Sequence, residues 1–89
     1  MDFASKLICQ MAVSFYGASH QETVAVEELS ELIQAISHKR RGREHNIAEE
    51  IADVEIMLEQ LKQINSCRQD VEKFVAQKLE RLRQRIEED

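Results

Sequence analysis

The chain has 89 residues, of which 43% are hydrophobic and 33% charged, and its formal net charge at pH 7 is −5. This acidic balance argues against general binding to nucleic acid polymers, and no apolar run approaches the roughly 20 residues that a membrane span needs. A chain this short buries only a marginal core alone, so we expect one domain over residues 1–89 that assembles with copies of itself.

The first residues and the cysteines predict a protein that is not exported. Residues 1–8 mix acidic, basic and apolar side chains and lack the basic start and apolar block of a secretory signal. Cys9 and Cys67 show neither metal-ligand nor redox spacing, so we expect reduced thiols in a cytoplasmic protein.

The hydrophobic pattern predicts helices throughout the chain. There is no proline, there are only two glycines, and no alternating run interrupts the 3.6-residue period. We therefore predict an all-α bundle of four helices. The first helix should span about residues 3–15 and end at Gly17, and the second should span about 19–40, before a basic turn around Gly42.

Capping signals mark the starts of the third and fourth helices. Asn46 can cap the third helix, with Glu49 at the position of a capping box, and this helix should run to about residue 64. Ser66 and Gln69 form a similar signal before the fourth helix. The apolar seam of that helix is predicted at Val71, Val75, Lys78, Leu82 and Ile86.

Two acidic triplets with the same spacing stand on the second and third helices. They are Glu27, Glu28 and Glu31, and then Glu49, Glu50 and Asp53. At 100° per residue, each triplet falls within an arc of roughly 100°, so its three carboxylates share one flank of the helix. Two carboxylates about 4 Å apart repel by about 4 kcal/mol at an effective dielectric constant of about 20, and a divalent cation would reverse that sign.

The two helices carry matching apolar seams beside these triplets. The predicted seams are Leu29, Leu32 and Ile36 on the second helix and Ile51, Val54 and Leu58 on the third. Antiparallel packing along them would leave the acidic flanks near one another at one rim of the interface. The alternative is that these glutamates are helix-forming residues on a solvated surface.

Three segments carry a recognisable motif: residues 16–21 (YGASHQ), 26–32 (VEELSEL) and 48–54 (AEEIADV). The second segment contains a doubled glutamate and a third acid, Glu31, three residues after the second glutamate. Eighteen residues separate Glu31 from Glu50, which begins a Glu-x-x-Asp pattern. This pattern resembles the MazG-like all-α nucleotide pyrophosphohydrolases over most of the chain.

The resemblance implies a Mg²⁺-dependent hydrolase, with Mn²⁺ as a substitute, that forms a homodimer or homotetramer. Its substrate would be a nucleoside triphosphate, cleaved between the α- and β-phosphates to a nucleoside monophosphate and pyrophosphate. The implied metal ligands are Glu28, Glu31, Glu50 and Asp53. Carboxylate oxygens without histidine or thiolate neighbours do suit hard cations such as Mg²⁺ and Mn²⁺.

Further site residues are less narrowly defined. Glu27 and Glu49 either orient a metal ligand or the attacking water, or are solvated helix residues. The resemblance implies phosphate contacts from Lys78 and Arg81, which would otherwise complement the helix dipole. Asn46 either donates to a phosphate or caps its helix. Candidates for contacts with the base, or for packing, are Phe15, Tyr16, His20 and Gln21.

Two functions of other classes remain open. A non-catalytic helical interaction module would use the apolar seams to recruit a partner and would not depend on metal. A sensor of the same fold would bind metal or nucleotide without turnover. No residue pattern separates one nucleobase from another.

Overall fold

The computed structural model describes all 89 residues and contains four α-helices and no strand. The helices are α1 (Phe3–Tyr16), α2 (Ala18–Arg40), α3 (Ile47–Ile64) and α4 (Arg68–Glu88). The all-α prediction is confirmed, and the boundaries predicted for the first three helices lie within one residue of those observed. No helix combines the length and the apolar character needed to cross a membrane.

Gly17 joins α1 to α2 without an intervening loop. Its φ of 92° lies in a region that side chains with a Cβ rarely adopt. Its N–H donates to the carbonyl of Val13 at 2.9 Å, and its own carbonyl accepts from the N–H of Gln21 at 3.1 Å. One glycine therefore ends the first helix, as predicted, and also begins the second.

Both predicted capping boxes are wrong. Asn46 occupies the N-cap position of α3, but its side chain makes no capping bond. Its amide instead donates to the carboxylate of Glu50. Helix α4 begins with Cys67 at the N-cap and no side-chain cap, because Ser66 adopts a φ of 49° and closes the preceding turn. Both cysteines are free.

The buried apolar core is small. It consists of Cys9, Ala25, Ala35, Val54 and Met57. Helices α2 and α3 form the central pair, and α1 packs against both of them. Helix α4 packs only against α3 and contributes no buried residue. The position of α4 is therefore set at its start, near the end of α3.

A polar network fixes that junction. Glu59 is 4% exposed, and its carboxylate pairs with Arg68 of α4. Gln63 Nε2 donates both to Glu59 Oε2 at 2.9 Å and to the carbonyl of Lys6 in α1 at 3.0 Å. The guanidinium of Arg68 holds the pKa of the Glu59 carboxyl below its usual value. Three helices thus meet around one buried carboxylate.

Helices α2 and α3 meet along a stripe that coincides only in part with the predicted seams, since Val54 is buried and Leu32 half-buried as expected. Leu29, Ile36, Ile51 and Leu58 are 38–44% exposed, whereas the buried residues of the stripe include Gln21, Ala25, Ala35, Glu50, Val54, Met57 and Gln60. Small alanines let the helices approach closely, and the two glutamines bond across the gap. Of the acidic flanks, Glu50 therefore lies inside the interface, whereas Glu27, Glu31 and Glu49 remain exposed at its rim.

Candidate metal centre

Two contacts define how α2 and α3 face each other. Gln21 Nε2 donates to Gln60 Oε1 at 2.7 Å, and the carboxylate of Glu31 lies close to that of Glu50. Ten residues separate the two positions on each helix, in opposite directions along the chain. Both contacts therefore belong to one antiparallel register.

Three carboxylates come together in this register. Glu28, Glu31 and Glu50 each offer an oxygen, and these oxygens all lie within 4.8 Å of one another. Oxygens on opposite sides of one Mg²⁺, each at about 2.1 Å, would be about 4.2 Å apart. Small side-chain movements would thus let the three carboxylates hold a single cation.

The cluster contains buried oxygens that have no hydrogen-bond partner. Glu50 is 7% exposed; its Oε1 accepts from Asn46 Nδ2 at 2.7 Å, but its Oε2 is buried and unpartnered. Glu28 Oε2 is in the same condition on the facing helix. An unsatisfied buried polar atom is costly, and more so when it is charged. The two oxygens would be satisfied by a cation between the helices.

The pKa of the Glu28 carboxyl also indicates a site for a cation. Burial raises the pKa of its carboxyl above the usual value, and the negative charges of Glu31, Asp53 and Glu50 raise it further. The Glu31 carboxylate beside it could accept a hydrogen bond from the protonated form of Glu28, which raises the pKa further. Without a cation the cluster therefore favours uptake of a proton, and a divalent ion would compete with that proton.

The remaining predicted acids differ in their positions. Asp53 is half-buried and close enough for its charge to act on Glu28, although it adds no oxygen to the group of three. Glu27 and Glu49 are exposed and stand outside that group. Three of the four predicted ligands are thus brought together, and the fourth is their neighbour.

Gln21 lies in the interface between α2 and α3. It is 6% exposed, its Nε2 donates to Gln60, and its Oε1 accepts from His20 Nδ1 at 2.8 Å. Both polar atoms of its amide are therefore engaged within the chain. The contribution of Gln60 was not predicted, although it stands ten residues after Glu50, as Gln21 stands ten before Glu31.

An aromatic group lies at the junction of α1 and α2. The rings of Tyr16 and His20 stack with centroids 5.4 Å apart, and Phe15 meets Tyr16 edge-on at 4.9 Å. Phe15 is 82% exposed and Tyr16 is 57% exposed. These rings are therefore available at the surface instead of forming core.

Lys78 and Arg81 stand on a helix that does not contact α2, the helix that carries Glu28 and Glu31. Both are exposed on α4, which packs only against α3. Within the groove that α4 shares with α3, its last residue is Val75, three residues before Lys78. No ion pair connects either basic residue to the carboxylates.

No protein-family model, characterised protein or solved structure matches this chain. The geometry of the carboxylate cluster and the acidic motifs that carry it are therefore the features that bear on function.

Proposed function

We propose that the chain is a Mg²⁺-dependent nucleoside triphosphate pyrophosphohydrolase. It would cleave the bond between the α- and β-phosphates and release a nucleoside monophosphate and pyrophosphate. The observation that carries the proposal is the pair of buried, unpartnered oxygens on Glu28 and Glu50, with an oxygen of Glu31 beside them. The acidic motifs that resemble MazG-like enzymes supply the reaction class.

In this proposal the metal ligands are Glu28, Glu31 and Glu50, with Asp53 as a fourth carboxylate. An all-oxygen donor set suits Mg²⁺, and Mn²⁺ would substitute. When bound, the ion would activate a water molecule and offset the charge of the phosphates. Glu27 and Glu49, exposed beside the cluster, would orient that water.

The chain's own residues would prepare the site in two ways. Asn46 holds one oxygen of Glu50, so that the other oxygen remains free for a ligand. The Gln21–Gln60 bond joins α2 to α3 and thereby keeps the facing carboxylates in register. Both contacts preorganise the cluster before substrate arrives.

Substrate binding would involve residues around the cluster. Lys78 and Arg81 would contact the phosphates from a neighbouring chain of a homodimer or homotetramer, because α4 does not contact α2 within its own chain. The exposed rings of Tyr16 and His20 would stack on the base, with Gln21 beneath them. The enzyme would act in the cytoplasm, where both of its free cysteines stay reduced.

The test is release of pyrophosphate and monophosphate from a panel of canonical and modified nucleoside triphosphates. Mg²⁺, Mn²⁺ and a chelator are compared. We expect metal-dependent formation of both products, lost in Glu50→Gln and Asp53→Asn and retained in Glu22→Gln, an exposed control on α2. Turnover that survives both cluster variants would overturn the site, and no turnover of any triphosphate would overturn the enzyme.

A metal or nucleotide sensor is the second candidate function. It is favoured by the absence of any ion pair between the carboxylate cluster and Lys78 or Arg81, since metal binding alone does not need those cations. The sensor would show a rise in melting temperature with Mg²⁺ and nucleotide but no product. A helical interaction module would show neither effect.

A further inference from the structure

The first turn of α3 has two backbone donors without an acceptor. Asn46 stands at the N-cap position, where a side-chain oxygen normally accepts from the second or third N–H of the helix. Here the Asn46 side chain donates to Glu50 instead, and the next backbone bond joins the N–H of Glu50 to the carbonyl of Asn46 at 3.0 Å. The N–H groups of Ala48 and Glu49 therefore have no partner in the chain.

An unpartnered acceptor lies beside these donors. Glu50 is 7% exposed, and Asn46 Nδ2 holds its Oε1 at 2.7 Å, which places the carboxylate near the level of the N-cap. This position is the expected one, because a helical side chain leans toward the N-terminus of its helix. Glu50 Oε2 is buried without a partner. One turn of helix thus presents two open donors and one open carboxylate oxygen.

Neither a cation nor an anion alone satisfies this turn. A divalent cation on Glu50 Oε2 would lie beside the positive end of the α3 dipole, which repels it. A free anion would be attracted by the two N–H groups but repelled by the carboxylates of Glu49 and Glu50. A phosphate group bound to the cation resolves both conflicts, because its oxygens meet the metal on one side and the N–H groups on the other.

Arg43 adds a positive charge to the same place. Residues 43–46 are irregular, so the Cα atoms of Arg43 and Asn46 lie at most about 11 Å apart. The Arg43 N–H donates to the carbonyl of His38 at 2.9 Å, and His38 stands two turns after Glu31 on the same flank of α2. The guanidinium of Arg43 is exposed and forms no ion pair. It is therefore free to bind an anion between Glu31 and the start of α3.

The other arginines of this turn are placed differently. Arg40 stands nine residues after Glu31, which puts it on the opposite side of α2. With Arg41 it lines a groove that includes Ile33. Both arginines stand at the C-terminal end of α2, where they complement the helix dipole. Arg43 is thus the arginine of the turn that shares a side with the carboxylate cluster.

We propose that the uncapped start of α3 and Arg43 bind the β- and γ-phosphates of the substrate, in addition to the contacts assigned to Lys78 and Arg81. The identity of the anion rests on the proposed function. Tyr16 and His20, the proposed base contacts, lie at the beginning of α2, whereas Arg43 follows its end. The nucleotide lies along the helix pair, with the metal between its base and its terminal phosphates. The subsite therefore holds the pyrophosphate that leaves.

Amide NMR tests the backbone contact without turnover. Pyrophosphate is titrated into the whole chain with Mg²⁺ present, and we expect the amide proton resonances of Ala48 and Glu49 to move downfield. Gln69 and Asp70 are the internal control, because α4 also begins without a side-chain cap but has no unpartnered carboxylate beside it. Equal shifts at both helix starts would indicate general attraction of anions to helix ends and would overturn the subsite. Unmoved resonances of Ala48 and Glu49 would overturn it as well.

Arginine substitutions test the side chain. Arg43→Gln should weaken the binding of pyrophosphate with Mg²⁺ by about tenfold or more in titration calorimetry, because a hydrogen bond between charged groups is lost. Its affinity for Mn²⁺ alone should stay unchanged, because Arg43 is not a metal ligand. Arg40→Gln is the matched control and should bind pyrophosphate like the wild-type protein. An equal loss in both variants would assign the effect to net charge and contradict the proposal.

These measurements distinguish the subsite from the hydrolase activity. An inactive protein whose Ala48 and Glu49 amides respond to pyrophosphate, and whose affinity depends on Arg43, supports the subsite and removes the hydrolase. An active hydrolase in which neither amide responds, and in which Arg43→Gln leaves KM unchanged, retains the proposed function and loses the subsite.

Discussion

Asn46 Nδ2 donates to Glu50 Oε1 at 2.7 Å, one turn into α3. A residue at the N-cap position thus uses its side chain to hold a carboxylate of the cluster instead of capping its own helix. Since the second oxygen of Glu50 is buried without a partner, the bond determines which oxygen is free for a cation.

Asn46→Ser separates positioning from capping. Serine is an equally good N-cap, but its side chain ends one atom earlier and does not span the distance to Glu50. We expect Mn²⁺ affinity, measured by titration calorimetry, to fall about tenfold or more, as it does when a ligand loses its orienting partner. If Asn46 were only a cap, Asn46→Ser would bind Mn²⁺ like the wild-type protein and Asn46→Ala would be less stable.

Glu28→Gln should raise the melting temperature of the metal-free protein. The substitution removes one negative charge from a group of four carboxylates in which burial, and then mutual repulsion, raises the pKa of Glu28. The same variant should lose most of the stabilisation that Mg²⁺ confers, because a ligand is missing. Thermal melts with and without Mg²⁺ measure both effects.

The control for that prediction is Glu22→Gln, an exposed position on the same helix. It should leave both melting temperatures close to those of the wild-type protein. A Glu28→Gln variant that retains the full Mg²⁺ response would show that Glu28 is not a ligand.

The stability of the metal-free protein should depend on pH through Glu28. Its pKa in the folded state is raised above the ordinary value of 4.5. A carboxyl with a raised pKa adds stability below the unfolded pKa, and that stability is lost as the pH rises through the folded pKa. We therefore expect the free energy of unfolding to contain a component that decreases as the pH increases above 4.5.

Mg²⁺ should suppress the pH-dependent part of the free energy of unfolding that arises from Glu28, because the cation replaces the proton in the cluster. Urea unfolding at several pH values, with Mg²⁺ and with a chelator, measures the difference between wild-type protein and Glu28→Gln. An identical pH dependence in the two proteins without metal would contradict the assignment.

The ion pair between Arg68 and the buried Glu59 should contribute more to the free energy of unfolding than the exposed ion pairs of Arg83 do. Arg68→Met leaves the buried carboxylate of Glu59 without its cation, whereas Arg83→Met removes contacts with the exposed Glu80 and Glu87. We expect a clear loss in the urea midpoint for Arg68→Met and little change for Arg83→Met. Equal losses would show that Glu59 tolerates solvation.

Acid should weaken the same junction. Arg68 lowers the pKa of Glu59 below 4.5, so this group adds stability above the unfolded pKa and loses it as the pH falls through the lowered value. Wild-type protein should therefore lose stability below pH 4.5 more steeply than Glu59→Gln. Melting curves between neutral and acid pH provide the comparison.

The helices could be predicted because their signals are local. The 3.6-residue period and the absence of proline favour helix everywhere, and the positive φ of Gly17 allows the break between α1 and α2. The shared flank of Glu28 and Glu31 was predictable for the same reason, since residues three apart share a helix flank whatever the tertiary structure. The capping prediction at Asn46 failed because its side-chain amide donates to Glu50, one turn away, and the prediction at Ser66 failed because Ser66 belongs to the preceding turn.

The exact rotation of α2 and α3 about their own axes could not be derived from the sequence. Helix α2 has apolar residues on both Leu29 and Ala25 sides, and a hydrophobic period alone does not rank the two. The folded pair selects the side of Ala25 and Ala35, because small side chains permit close approach and Gln21 and Gln60 satisfy each other across it.

The sequence by itself thus determined where the helices begin and end and which carboxylates share a flank, because backbone propensity and helical spacing act over a few residues. Only the tertiary structure decided that Glu28, Glu31 and Glu50 converge, that an oxygen of Glu50 remains unpartnered, and that α4 projects from the pair. Those features depend on how two helices rotate and approach each other, which is set by packing and by hydrogen bonds between residues distant in the chain.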